Sequence, residues 1–111
     1  MSVVIAETLR AARALIDTPD KWCQNAYCRT ASGGLVLREN DEIASRCMTE
    51  AITESAHRLR RGTIDYLHAK AAVLSVIGGD SMNAWNDAPE RTHAEVIVAL
   101  DAAIAAEEAT P

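Results

Sequence analysis

Glycines and prolines divide this 111-residue chain into segments short enough to be single helices or hairpins. Pro19, Gly62 and the pairs Gly33-Gly34 and Gly78-Gly79 stand between stretches with a regular apolar pattern. The residue before a proline is disfavoured in helical geometry, and a glycine just past a helix favours its termination. Alanine is abundant and runs of β-branched residues are short, which favours helices over strands. These positions therefore limit the fold to several short elements, most of them helical.

The first two predicted helices flank the least helical part of the chain. The first is predicted over Val3–Asp17, because its apolar residues recur every three or four positions before Pro19 ends it. The second is predicted over Asp41–Arg61, with Asn40 or Asp41 as its N-cap and Gly62 as its C-cap. Its expected inner face consists of Ile43, Cys47, Met48, Ala51, Ile52, Ser55 and Leu59.

Two further long helices and one short one are predicted in the C-terminal half. The third helix should span Thr63–Ile77 and bury a stripe of residues at helical spacing, namely Ile64, Leu67, Ala71 and Leu74. Asp80 or Ser81 can begin a short helical turn. The fourth long helix should span about Thr92–Glu108, because Thr92 and Glu95 have the spacing of a capping box. We expect it to bury Val96, Ile97, Leu100, Ala103 and Ile104.

A small β-hairpin is predicted between the first and second helices. Its strands should lie near Ala26–Thr30 and Leu35–Arg38, because Gly33-Gly34 is a turn signal between them. Two strands alone are marginal in water, so the hairpin must pack on the helices, with Trp22 as its anchor. The predicted fold class is therefore mainly α, a compact bundle of four principal helices with a two-stranded hairpin between helices 1 and 2.

Size and charge indicate one acidic domain over residues 1–111. The net charge is −5, whereas modules that bind nucleic acid are usually basic, so a nucleic-acid partner is unlikely on composition. No apolar run approaches the roughly 18 residues that a membrane span needs, and no signal peptide is recognisable, so we expect a cytoplasmic protein with no membrane partner. Three cysteines, an odd number, fit a reducing compartment.

The richest chemistry lies in the segment Trp85-Asn86-Asp87, just before Pro89. As a site, the indole would supply a stacking face, while the amide and the carboxylate would orient a ligand. As a structural corner, the indole would fill a gap between helices, and the two polar side chains would bond backbone groups. Loss of about 1 kcal/mol or more in an Asp87→Ala variant would indicate the structural role.

Trp22 and Cys23 are the second candidate for ligand or partner binding, in which the Cys23 thiol would lie in a pocket beside the Trp22 indole. Cys23, Cys28 and Cys47 do not have the paired spacing of a zinc site, and no phosphate loop or catalytic motif is present. We therefore predict no metal, no cofactor and no catalytic residues, and we expect packing to explain the cysteines.

Arg58, Arg60 and Arg61 form a cationic cluster at the predicted end of the second helix. Cations there compensate the negative end of the helix dipole. The alternative is a site for an anion or, weakly, for nucleic acid.

Three segments together resemble a small bacterial and bacteriophage family that carries only a domain-of-unknown-function label. They are residues 21–27, with Trp22 and Cys23; Cys47 followed by Ala51; and residues 84–92, with Trp85-Asn86-Asp87-Ala88-Pro89. Asn25 stands where that family commonly has glycine. The resemblance implies a single-domain protein in which these residues share one local arrangement, and it implies no activity.

These observations favour a small non-enzymatic interaction or regulatory domain that binds a protein partner or forms a homodimer. One alternative is a small-molecule or enzymatic pocket around Cys23 and Trp85-Asn86-Asp87. The other is nucleic-acid binding through Arg58, Arg60 and Arg61.

Overall fold

The computed structural model describes residues 2–37 and 42–109, and its five helices surround one apolar core. The helices are α1 (Ser2–Leu15), α2 (Met48–Arg58), α3 (Thr63–Ile77), α4 (Met82–Asp87) and α5 (His93–Ala109). A 3-10 helix over Pro19–Lys21 follows α1, and strands β1 (Cys28–Arg29) and β2 (Ser45–Arg46) pair antiparallel before α2. The predicted fold class, four principal helices with a small hairpin between the first two, is confirmed.

Helix α1 lies against α2, α3 and α5 and so occupies the centre of the bundle. The apolar face of α1 is buried, since Leu9 and Ala12 are both 0% exposed. The core is completed by fully buried residues of the other helices, Met48, Ile52, Val73, Val96 and Leu100. Within the described residues, every helix is too short or too polar to cross a membrane.

The second strand and the start of the second helix differ from the prediction. Strand β1 pairs with Ser45–Arg46, and the predicted partner segment contributes only an isolated bridge from Leu35 to Arg29. Leu37 is 84% exposed, so it has no apolar surface that would hold a strand there. Arg38, Asn40 and Asp41 lie outside the described residues.

Helix α2 begins at Met48 because the residues before it are held by the hairpin. The amides of Ala44 and Cys47 donate to the carbonyls of Arg29 (2.8 Å) and Tyr27 (3.0 Å). Tertiary hydrogen bonds thus override the helical pattern of that segment. Arg46 adds a charged link, since its Nε lies 2.5 Å from Glu54 Oε1 on α2 and both side chains are mostly buried.

Helix α3 has the predicted bounds but buries a different face. Ala69 and Val73 are buried, whereas the expected stripe residues Ile64 and Leu67 are 65% and 49% exposed. The helix is apolar on nearly all sides, so residue spacing alone does not identify the face that meets the core.

Candidate functional site

Helix α4 carries Trp85, Asn86 and Asp87 on successive positions, which project in three directions about 100° apart. Ser81 begins the helix, because its Oγ accepts a hydrogen bond from Ala84 N at 3.1 Å. Asn86 is fully buried, whereas Trp85 and Asp87 are partly exposed. The three side chains therefore do not act as one surface.

The Asn86 side chain makes four hydrogen bonds to the protein. Its Oδ1 accepts from Trp22 Nε1 at 2.7 Å and from Met48 N at 3.1 Å. Its Nδ2 donates to Cys23 O at 3.1 Å and to Asp87 Oδ1 at 2.9 Å. An amide has two donor hydrogens and an acceptor with two lone pairs, so the capacity of this side chain is fully used. We call these residues, with Gln24 and Asn25, the Asn86 cluster.

One of these bonds caps another helix. Met48 is the first residue of α2, and its amide has no partner within that helix. Asn86 supplies the missing acceptor from α4, while the Cys47 thiol accepts from Glu50 N at 3.4 Å. The cluster thus joins the loop after α1 to the start of α2.

Asp87 and Gln24 close the cluster on the side of the loop. Asp87 Oδ1 accepts from Asn25 N at 2.9 Å, and Gln24 Nε2 donates to the carbonyls of Asn86 (3.0 Å) and Ala88 (2.9 Å). Asn25 has a φ of 62°, a left-handed conformation that glycine adopts freely and asparagine tolerates. This explains how asparagine fits a position suited to glycine.

Trp85 lies apart from the cluster. The Arg91 guanidinium stacks 3.8 Å from the centre of its indole ring, and Arg91 Nε donates to Trp85 O at 2.9 Å. The same indole lines an apolar groove beside α3 and α5. Of the five residues predicted to form one ligand or partner site, the structure brings Trp22, Cys23, Asn86 and Asp87 together and separates Trp85.

The three cysteines are free and buried. Burial raises the pKa of the Cys23 thiol, that of Cys28 to about 11 and that of Cys47 to about 12. A nucleophilic cysteine needs the opposite shift, so these environments favour inert thiols. Among the described residues, no three histidine, cysteine or acidic side chains are grouped so that they could hold a metal ion.

A cleft of about 220 Å³ opens beside the Asn86 cluster. Asp87 and Cys47 line it, together with Asn25, Ala26, Tyr27 and Asn83, whereas Cys23, Trp22 and Asn86 are not among its lining residues. The predicted pocket around Cys23 and Asp87 therefore does not match this cleft, because Asp87 lines it and Cys23 does not.

The predicted arginine cluster does not converge on one point. Arg58 forms an ion pair with Glu54, and Arg61 forms one with Glu7 at 3.2 Å. Arg60 is exposed and has a left-handed φ of 56° just past the helix. Sequence reasoning missed Lys70, which shares a larger cleft with Arg61. The sequence feature that could have indicated Lys70 is that it is the single lysine or arginine of a helix with few charged residues.

A protein-family model described as a family of unknown function, DUF6197, matches residues 1–106. A search of curated proteins found no match, and a search of solved structures also found none.

Proposed function

The chain belongs to this family of unknown function, and we propose from its geometry that the protein is a non-enzymatic interaction domain that pairs with a second copy of itself. Its proposed setting is the cytoplasm of a bacterium, with a bacterial or phage origin. Three free cysteines support a reducing compartment, and the resemblance of residues 21–27 and 84–92 supports the origin.

The outer face of α3 is the observation on which the proposal rests. Asp65 and Lys70 are the two charged residues of this 15-residue helix, and only Ala69 and Val73 are buried in the single chain. A helix with so few charged side chains is normally covered on most of its sides. Ile64 and Leu67 are instead 65% and 49% exposed, so this face is suited to a partner.

A separate apolar groove of about 410 Å³ lies between the C-terminal end of α3 and α5. It is lined by Val76, Ile77, Trp85, Ala94, Glu95, Val98 and Ala99, among which Glu95 is the charged residue. Val98 is 67% exposed at this groove. Exposed apolar surface of this kind marks interaction sites in soluble proteins.

A second copy is the occupant that charge favours. The chain has a net charge of −5, so two copies repel each other over most of their surfaces. A nearly uncharged face allows them to approach with the least repulsion. A twofold contact also requires one surface to be complementary to itself, and here the exposed Val98 is part of the apolar groove.

Two matched valine variants test the proposal. Val98 and Val3 are each 67% exposed on a helix, but Val3 is on α1 and is not among the lining residues of the groove. Analytical ultracentrifugation should give a mass about twice the 12.0 kDa of one chain at high concentration. Val98→Glu should weaken dimerisation by about 10-fold or more, because a desolvated carboxylate costs at least ~1.4 kcal/mol. Val3→Glu should leave it unchanged.

Two outcomes would refute the proposal. One is a wild-type protein that remains monomeric up to about 1 mM, a concentration at which even a weak specific contact is half formed. The other is an equal effect of the two glutamate variants, which would assign the change to net charge and not to the groove.

A further inference from the structure

A second cleft, of about 530 Å³, lies between α2 and α3. Thr49, Thr53 and His57 of α2 form one wall, and Tyr66 and Lys70 of α3 form the other. Its volume is within the roughly 300–1,000 Å³ of ordinary small-molecule sites. Of the candidate site residues predicted from the sequence, Arg61 is the one that lines this cleft.

The lining of this cleft is cationic on an acidic protein. Arg61 and Lys70 contribute positive charge, His57 also lines the cleft, and no aspartate or glutamate is among its described lining residues. The Lys70 ammonium lies 5.4 Å from the centre of the Tyr66 ring. Arg61 uses Nε for Thr8 and Nη2 for Glu7, which leaves Nη1 as a further donor. Two cationic side chains therefore line one open cleft, and Arg61 also pairs with Glu7.

Neutral hydroxyl groups and backbone amides complete the lining. Thr49 Oγ1 donates to Asn83 Oδ1 at 2.6 Å and Thr53 Oγ1 donates to Thr49 O at 2.9 Å, so the protons of both threonine hydroxyls are used within the protein. Gly62 and Thr63 at the start of α3 also line the cleft, and Gly62 has no side chain to cap the first-turn amides. Amides at a helix N-terminus carry partial positive charge and bind anions, which adds to the charges of Arg61 and Lys70.

We infer that this cleft binds a small phosphorylated molecule. The phosphate would be held by Lys70, by Arg61 and by the first-turn amides of α3. A phosphate monoester carries between one and two negative charges near neutral pH and has three acceptor oxygens, which match Lys70, Arg61 Nη1 and the helix amides better than a carboxylate does. The phenol rings of Tyr27 and Tyr66 offer stacking surface to the remainder of the ligand. A cleft of this size suits a monoester, whereas a nucleic-acid strand needs an extended cationic groove.

Phenyl phosphate, inorganic phosphate and a short single-stranded oligonucleotide are the probes for this site. In amide NMR titrations at about 50 mM salt, phenyl phosphate should shift Gly62, Thr63 and Ile64 and saturate below about 10 mM. Inorganic phosphate should shift the same amides with weaker affinity. Lys70→Gln should weaken binding of phenyl phosphate about 5-fold or more, because a charge-assisted bond is lost.

Lys21→Gln is the matched control, because Lys21 pairs with Asp17 on the surface and does not line the cleft. It should leave the affinity unchanged. Should Lys70→Gln lower the thermal stability, the exposed His57→Gln is the second variant, with a smaller loss of affinity expected. Shifts that map elsewhere, an equal effect of the two lysine variants, or no saturation would overturn the inference. Tighter binding of the oligonucleotide than of phenyl phosphate would overturn it in favour of nucleic acid.

Discussion

Replacement of Asn86 by alanine should destabilise the protein far more than an average polar substitution. The change removes all four hydrogen bonds of a side chain that is 0% exposed. Asp87 is partly exposed and can be solvated again, but Trp22 Nε1, Met48 N and Cys23 O lose a partner in or near the interior. Each such group costs about 1–3 kcal/mol, and water entering the vacated space offsets part of this. We expect a loss of about 3–5 kcal/mol.

Urea denaturation followed by tryptophan fluorescence measures this loss, with Asn83→Ala as the control on the same helix. Asn83 is exposed and its side chain accepts one bond, from Thr49 Oγ1, so its replacement should cost less than about 1 kcal/mol. A loss below about 1 kcal/mol for Asn86→Ala would refute the structural role of the cluster.

Asn86→Asp adds a dependence on pH. The new carboxylate would face Cys23 O and the Asp87 carboxylate, where the amide was a donor. Burial and like charge favour its protonated form in the folded state, so its folded pKa should exceed that of the unfolded chain. The destabilisation should therefore be largest at pH 7 and partly recover toward about pH 4, where a protonated carboxyl can again donate. A loss independent of pH would contradict this account.

Three further predictions concern local features. Asp87→Ala should cost about 1–2 kcal/mol in urea denaturation, because Asn25 N and Asn86 Nδ2 both lose an acceptor. Asn25→Gly should change stability by less than ~0.5 kcal/mol, because the φ of Asn25 already suits glycine. Burial raises the pKa of Cys47 from 9.0 to about 12, so the contribution of this thiol to stability is complete below pH 9 and declines above it. Thermal melts between pH 8 and 10 should show a loss of about 1 kcal/mol at pH 10. Alkylation of the thiol at pH 7.5 should also be slow until the chain unfolds. Thr92→Ala should lower stability by about 1 kcal/mol, because its Oγ1 caps Glu95 N at 3.2 Å, and an unchanged melting temperature would contradict that role.

Local signals in the sequence were sufficient for several helix boundaries. Thr63–Ile77 has the predicted bounds, and the capping box is confirmed, because Glu95 Oε1 also accepts from Thr92 N at 2.9 Å. These features depend on residues within a few positions of one another. The partner of β1 depends on a pairing across a loop, and the burial of α3 depends on which neighbours cover it, so residue spacing did not predict either one.

The segment Trp85-Asn86-Asp87 shows how adjacency in the sequence differs from adjacency in the folded chain. Its three side chains are consecutive, but neighbouring helical positions point in different directions. Asn86 is buried in hydrogen bonds, while Trp85 lines the apolar groove on another side of α4. Lys70 and Arg61 present the reverse case, because two cations nine positions apart share one cleft through the packing of α2 and α3.

The Asn86 cluster also has a consequence for the order of folding. Its bonds from Trp22, Gln24 and Asn25 reach residues 62 to 64 positions later in the chain. Closure of so long a loop is slow compared with helix formation, so these bonds belong to a late step. During synthesis, the indole N–H of Trp22 therefore cannot form its native hydrogen bond until Asn86 has been added to the chain. A ribosome-bound chain that stops before α4 lacks Asn86 and should therefore lack the native arrangement of residues 22–25.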